Sequence, residues 1–278
     1  MQKITLEHFA EQEALSPGRR CFSLQSGLQL AKQEGRTPSF NVKFFEGIGT
    51  VFEQMTGLRL RKGNQPNNYY CYLETQEEIQ RVQEWEQGQG SRVFLRDCLT
   101  CSIALDHNFA PNSNPPAYTP TGQLEHDAKQ NQDTQAIAKL VEQLLEAIRT
   151  LPPYAAATVI AAVPARKGKD HDLPTVLVSK IVERLGLDDV TGLFIYAGDK
   201  GQLKATKYDE RWGQLAQAGL GMDKMAYERL RGKSVILIDD KYQSGVTANF
   251  VAMVLQQHGA AEVYGLYAVK TWGDRDNC

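Results

Sequence analysis

The sequence predicts an α/β protein whose carboxyl-terminal half is a doubly wound, mainly parallel sheet. Three observations predict it. Apolar runs of strand length recur at ATVIAAVP, GLFIYAG, SVILIDD and EVYGLYAV, and segments with helical spacing separate several of them. The runs are apolar on successive residues, as strands buried on both faces require. The helical segment between the first two runs opens on Asp172 and stops before Gly186, which marks a strand-helix-strand crossover.

Taken in order, LEHFAEQEAL and TQEEIQRVQEWEQ read as helices and SRVFLRD as a short strand. The stretch FAPNSNPPAYTPTG, residues 109–122, is rich in Asn, Pro and Ser and cannot continue a helix. It is taken as the domain boundary, giving an α+β region over 1–117 and an α/β domain over 118–278. Beyond it, Ile137, Leu140, Val141, Leu144, Leu145 and Ile148 repeat at helical spacing behind an Asp133/Thr134 cap. ATVIAAVP is the first strand. Asp172 then caps the helix LPTVLVSKIVERL, which stops before Gly186. GLFIYAG is the expected second strand, and DKGQLKATKYDERWGQLAQAG is a long polar loop that enters a helix. SVILIDD is the third strand, ANFVAMVLQQHG a helix with Phe250, Val251, Val254 and Leu255 on one face, and EVYGLYAV the fourth strand.

Composition narrows the function classes. A chain of 278 residues with 42% hydrophobic content can build one large core or two small ones. Its net charge of -2 and pI of about 6.2 supply no global field for nucleic acid or an anionic membrane, although a local basic patch stays open. The opening MQKITLEHFAEQEAL lacks the apolar centre of a signal peptide, and no stretch has membrane-spanning length. A cytoplasmic protein is the expectation. The five cysteines are too few and too irregularly spaced for a disulfide scaffold and are read as free thiols.

The sharpest motif is VILIDDKYQSGVT, residues 235–247, where a buried strand meets two carboxylates and then a short turn opening a helix. Open α/β sheets bind ligands at the carboxyl ends of their strands, where Asp239 and Asp240 fall. Gln243, Ser244, Gly245, Val246 and Thr247 offer backbone N–H groups at a helix start and two hydroxyls, with Gly245 allowing close approach. That chemistry suits a phosphate monoester. The carboxylates suit ribose hydroxyls or a hard cation. The same residues also describe a strand that simply ends at a solvated surface.

VILIDDKYQSGVT resembles the phosphoribosyl pyrophosphate signature of type I phosphoribosyltransferases. The segments YTPTGQLEHDAKQ, VIAAVPARKGKDHDLP and ATK occur in the order found in the competence protein F-like branch, which is similar to amidophosphoribosyltransferases. The resemblance spans roughly residues 118–271. It implies that Asp239 and Asp240 hold the ribose hydroxyls and Mg²⁺, that the Gln243–Thr247 turn holds the 5′-phosphate, and that Ala165, Arg166, Lys167, Gly168 and Lys169 hold pyrophosphate. It further implies a lid carrying Lys204 and Lys207, which equally read as an exposed charged loop. The acceptor-binding hood would come from residues before Pro120. Lys241 and Gln243 depart from the motif, and the Arg-Gly-Phe-Asn run expected after the pyrophosphate loop is absent.

Cys98-Leu-Thr-Cys101 has the spacing of half a zinc site, and members of the same branch carry a zinc ribbon. Cys71 would be a third ligand and Cys21 or His107 a fourth; buried structural cysteines are the other reading. His171 lies beside the pyrophosphate-like loop, whereas His126 and His258 have no partner pattern. Neither GxGxxG nor GxxxxGK[ST] is present. The expected activity is transfer of phosphoribose from phosphoribosyl pyrophosphate to a nitrogen nucleophile, with no general base and no acceptor identified. The rival expectation is a non-catalytic module that senses a nucleotide or sugar phosphate within a nucleic-acid handling or defence complex.

Overall fold

The computed structural model describes residues 2–15, 21–23, 28–29, 37–65, 68–111, 113–165, 172–198 and 208–272. In chain order the first elements are α1 (Leu6–Glu13), β1 (Cys21–Ser23), β2 (Leu28–Gln29), β3 (Ser39–Val42), α2 (Ile48–Thr56), β4 (Arg61–Lys62), β5 (Tyr69–Tyr72), α3 (Gln76–Gln89), β6 (Val93–Leu95) and β7 (Cys101–His107). There follow α4 (Pro120–Gln130), α5 (Thr134–Thr150), α6 (Pro152–Ala155), β8 (Val159–Ala162), α7 (Leu173–Leu185), β9 (Asp188–Asp189) and β10 (Phe194–Tyr196). The last are α8 (Tyr208–Gln217), β11 (Leu220–Met222), α9 (Ala226–Leu230), β12 (Ser234–Tyr242), α10 (Val246–Gln257) and β13 (Glu262–Lys270).

Seven strands form one mixed sheet in the order β1-β6-β7-β13-β12-β8-β9. The five from β7 to β9 are parallel, and β6 and β1 complete one side antiparallel. Alternation along β12 divides the core. Ile236 and Ile238 pack into the cluster that contains α5 and α7, whereas Val235 and Leu237 pack into the one that contains α8 and α10. Helices therefore cover both faces, and parallel strands with continuous apolar sequence fit that arrangement.

The caps follow the sequence. The Asp133 carboxylate accepts from the Gln135 and Ala136 amides at the start of α5, and Asp172 caps α7, which ends at Gly186 in the left-handed region. A separate four-stranded sheet, β2-β3-β5-β4, lays Phe40 against Phe52 and Trp85 of α2 and α3, with ring centroids 4.4 and 5.5 Å away. Such aromatic pairs add about 0.5–1.5 kcal/mol each beyond the area they bury.

Three features differ from the sequence expectation. Phe194–Tyr196, in the expected second strand, lies outside the large sheet and pairs antiparallel with β11 alone. Ile195 is 52% exposed, so this segment is not buried on both faces as an inner parallel strand must be. The two-residue β9 takes the edge position instead. Second, the large sheet continues across the Asn/Pro/Ser-rich stretch placed at the domain boundary, because β1, β6 and β7 precede it. Third, β12 runs past Asp239 and Asp240 to Tyr242, pairing Lys241 with Val269 and Tyr242 with Lys270.

Candidate functional site

A cleft of 140 Å³ opens at the carboxyl end of β12. It is lined by Asp239 and Lys241, the whole Gln243–Thr247 turn, and Tyr242, Arg211 and Tyr267. The turn and the first of the two carboxylates are thus brought together as the sequence expects.

Gly245 shapes this turn. Its φ is +75°, and a Cβ there would stand 2.3 Å from the Tyr242 Oη and 3.1 Å from the Asn249 Nδ2. Among the described residues no side chain caps the helix that starts at Val246, which leaves the first-turn amides of α10 at the cleft end. Asn249, fully buried, fixes the turn from below: Nδ2 donates to the Gly245 carbonyl at 2.8 Å, and Oδ1 accepts from the Cys98 amide at 2.9 Å. A cation comes from α8, where Arg211 Nη1 donates to Ser244 Oγ at 2.8 Å. Hydroxyls, uncapped amides, the helix dipole and a guanidinium converge here, and together they can hold an anion with several oxygens.

The two carboxylates do not share this cleft. Neighbouring strand residues point to opposite faces, and Asp240 turns under α4 rather than into the cleft. There its Oδ2 lies 2.7 Å from Lys129 Nζ, and Asp240 is 7% exposed. Glu125, 1% exposed, joins the cluster at 3.7 Å from Lys129 and 3.0 Å from Lys241. Burial opposes the charge on Lys129, yet the carboxylates of Asp240, Glu125 and Asp239 outweigh it and raise its pKa. Asp239 is left as the cleft carboxylate able to meet a ribose hydroxyl or a hard cation. A magnesium ion that arrives on ligand oxygens needs only one or two protein carboxylates. Asp239 fits that requirement.

Of the residues expected to hold pyrophosphate, Ala165 follows β8. Arg166, Lys167, Gly168 and Lys169 lie outside the described residues, as do His171 and the lid residues Lys204 and Lys207. The cysteines expected as zinc ligands are dispersed. Cys71 sits in the small sheet, and Cys98 and Cys101 pack into the two core clusters on opposite faces of the large sheet. Burial pushes the Cys71 thiol up to about 11 and the Cys101 thiol up to about 12, and raises Cys98 as well. Among the described residues no group of three or more His, Cys, Asp or Glu side chains is placed to hold a metal ion. This donor set does not make a tetrahedral zinc site. His107 is also unsuited to a shared site with Cys98: it lies at the far end of β7, where burial and the nearby charge of Lys270 lower its pKa to about 4.

Beneath the turn, Asp97 is buried beside Ser102 and Tyr242. Burial raises its pKa to about 6, while the Ser102 hydroxyl, the Leu99 amide and the Tyr242 hydroxyl pull it down. A raised carboxyl pKa contributes stability that is fully present below the unfolded value of about 3.9 and is lost as pH rises through 6. Asp97→Asn removes that penalty but also some hydrogen bonding. It is expected to be more stable than wild type by about 1 kcal/mol at pH 8 and no more stable at pH 4. Urea unfolding at the two pH values measures the difference, and equal differences would refute the assignment.

No family model and no curated protein matches the chain. Among solved structures, the chain is similar to one titled as the allosteric regulatory enzyme of purine biosynthesis, at 13% identity and a TM-score of 0.31. The match covers 77% of this chain and 43% of that one, so this chain spans less than half of that protein. At this level of likeness, the reading of the site rests on the chain's own geometry.

Proposed function

We propose that the chain binds a 5′-phosphorylated ribose, either phosphoribosyl pyrophosphate with Mg²⁺ or a nucleoside 5′-monophosphate, and that it transfers phosphoribose to a nitrogen nucleophile. The observation that carries this reading is the single cleft lined by Asp239, the Gln243–Thr247 turn and Arg211. The resemblance of VILIDDKYQSGVT to the type I phosphoribosyltransferase signature points the same way.

On this reading Ser244, Thr247 and the first-turn amides of α10 hold the 5′-phosphate, with Arg211 as its counter-charge. Asp239 would accept from a ribose hydroxyl and would hold Mg²⁺. Bound Mg²⁺ would offset negative charge on the diphosphate. In the transfer, the C1–O bond breaks and pyrophosphate leaves with the electron pair. The nitrogen lone pair forms the C1–N bond, and the proton lost from nitrogen passes to solvent or to an unassigned base. Arg166, Lys167 and Lys169 are proposed to stabilise the departing pyrophosphate. The position of Asp240 beneath α4 favours a second reading, a module that binds the nucleotide without turnover.

Calorimetry with Mg²⁺ tests both readings. Wild type is expected to bind phosphoribosyl pyrophosphate or a nucleoside 5′-monophosphate, and to bind the matching nucleoside far more weakly. Arg211→Gln should reduce the monophosphate preference by about 1–2 kcal/mol, the scale of one charge-assisted hydrogen bond. No binding of either phosphorylated ligand by wild type would sink the proposal. Pyrophosphate release that requires an acceptor would select transfer over sensing.

A further inference from the structure

A second surface of the molecule has the composition of a ligand site, and nothing in the sugar-phosphate reading uses it. In the small sheet, Phe40, Val42 and Cys71 are buried. On the opposite face Ser39, Asn41 and Tyr70 are half-buried and Tyr72 is exposed. Strand alternation and the register place Ser39 beside Tyr72, Asn41 beside Tyr70, and Tyr70 beside Arg61 on that face. Tyr72 is 55% exposed, and its ring meets that of Tyr70 at 5.1 Å and 66°. Asn41 donates to Ser39 Oγ at 2.9 Å, so the polar residues beside the rings are held in place.

Basic residues outnumber acidic ones around this face. β3, β4 and β5 carry no Asp or Glu; Arg61 of β4 is exposed on the Tyr70 side, exposed Lys43 follows β3, and exposed Glu74 follows β5, while Lys62 pairs with Tyr69 on the other face. Basic residues on an edge strand alone would be explained as protection against strand pairing. That explanation does not reach Tyr70 and Tyr72, because β5 is an inner strand of the β2-β3-β5-β4 order. Two adjacent aromatic rings, flanked by cations and amide donors on an open antiparallel sheet, match the needs of unpaired bases joined by phosphates. An acidic protein segment would use the cations and leave the rings without a role.

We propose that this face binds single-stranded nucleic acid, with Tyr70 and Tyr72 stacking on bases and Lys43 and Arg61 meeting phosphates. The chain's net charge of -2 makes the interaction local and salt-sensitive. The test is fluorescence anisotropy on the full chain with a labelled twelve-nucleotide single strand (about twelve bases covers one small site), with the corresponding duplex and a labelled oligoglutamate as comparators.

Wild type is expected to prefer the single strand, with a log affinity against log salt slope of about -1.4 from two cations. Tyr70→Ala with Tyr72→Ala should weaken binding about tenfold or more at fixed salt. Lys43→Gln with Arg61→Gln should flatten the salt slope. Should the double tyrosine variant lose its thermal transition, Tyr72→Ala alone decides, since that ring is mostly exposed. Absence of single-strand binding at low salt, binding unchanged by loss of the tyrosines, or oligoglutamate bound as tightly as the oligonucleotide would each overturn the proposal. None of these outcomes depends on whether the cleft at β12 binds a sugar phosphate.

Discussion

Gly245→Ala is expected to abolish binding of a 5′-phosphorylated ligand and to lower stability by roughly 2–5 kcal/mol. Two costs add. An alanine held at a φ of +75° is in the left-handed region, at about 1–2 kcal/mol. Its Cβ would also stand 2.3 Å from the Tyr242 Oη, and Tyr242 is buried against Tyr267 with ring centroids 4.8 Å apart. Relief requires moving a packed ring or the turn itself, a distortion of about 1–3 kcal/mol. Moving the turn displaces the amides of α10 and breaks the Asn249 bridge to Cys98. Chemical unfolding and calorimetry on the same sample measure both effects. A variant with wild-type stability and wild-type affinity would show that the turn does not have this conformation.

The parts of the fold that were legible are those where chemistry is contiguous. β8, β12 and β13 announce themselves as apolar runs because each is buried on both faces. β7 is equally buried, yet Ser102 and Asp106 interrupt its apolar character, and its partner β13 lies more than half the chain away, so no local pattern marks it. β9 has two residues, too few for any periodicity. Phe194–Tyr196 misleads in the other direction, since an apolar run says nothing about how many neighbours a strand will find.

The site divides in the same way. The turn was readable because strand end, glycine and hydroxyls follow one another in sequence. Arg211 reaches Ser244 from 33 positions away on a polar helix, with no signal in spacing or composition. Lys129 had a partial signal, because YTPTGQLEHDAKQ carried part of the family resemblance, but nothing in that segment pointed to Asp240. The division of labour between Asp239 and Asp240 could have been anticipated, since strand geometry sends neighbouring side chains to opposite faces.

That geometry makes the two carboxylates separable by experiment. Asp239→Asn is expected to weaken the phosphorylated ligand by about 1–3 kcal/mol while leaving stability within about 0.5 kcal/mol of wild type, because its carboxylate lies at the cleft. Asp240→Asn should do the reverse in its first effect. It leaves the Lys129 ammonium to Glu125 and the weaker influence of Asp239, in a cluster where Glu125 is 1% exposed and also bridges to Lys241. Breaking a buried pair costs about 3–5 kcal/mol when one charge is stranded. Lys129 keeps 30% of its side-chain surface and retains Glu125, so about 2–3 kcal/mol is expected here. Lys129→Met in the Asp240→Asn background removes the stranded charge and should recover part of that loss, giving a coupling energy of at least about 1 kcal/mol in a double-mutant cycle. Unfolding midpoints for wild type, Asp240→Asn, Lys129→Met and the double variant, read beside the ligand affinities of Asp239→Asn and Asp240→Asn, decide the matter. Additive stability effects would remove the ion pair as the reason for the position of Asp240. A ligand affinity lost equally in Asp239→Asn and Asp240→Asn, with stability unchanged, would instead mean that Asp240 turns into the cleft when ligand binds and releases Lys129 to do so.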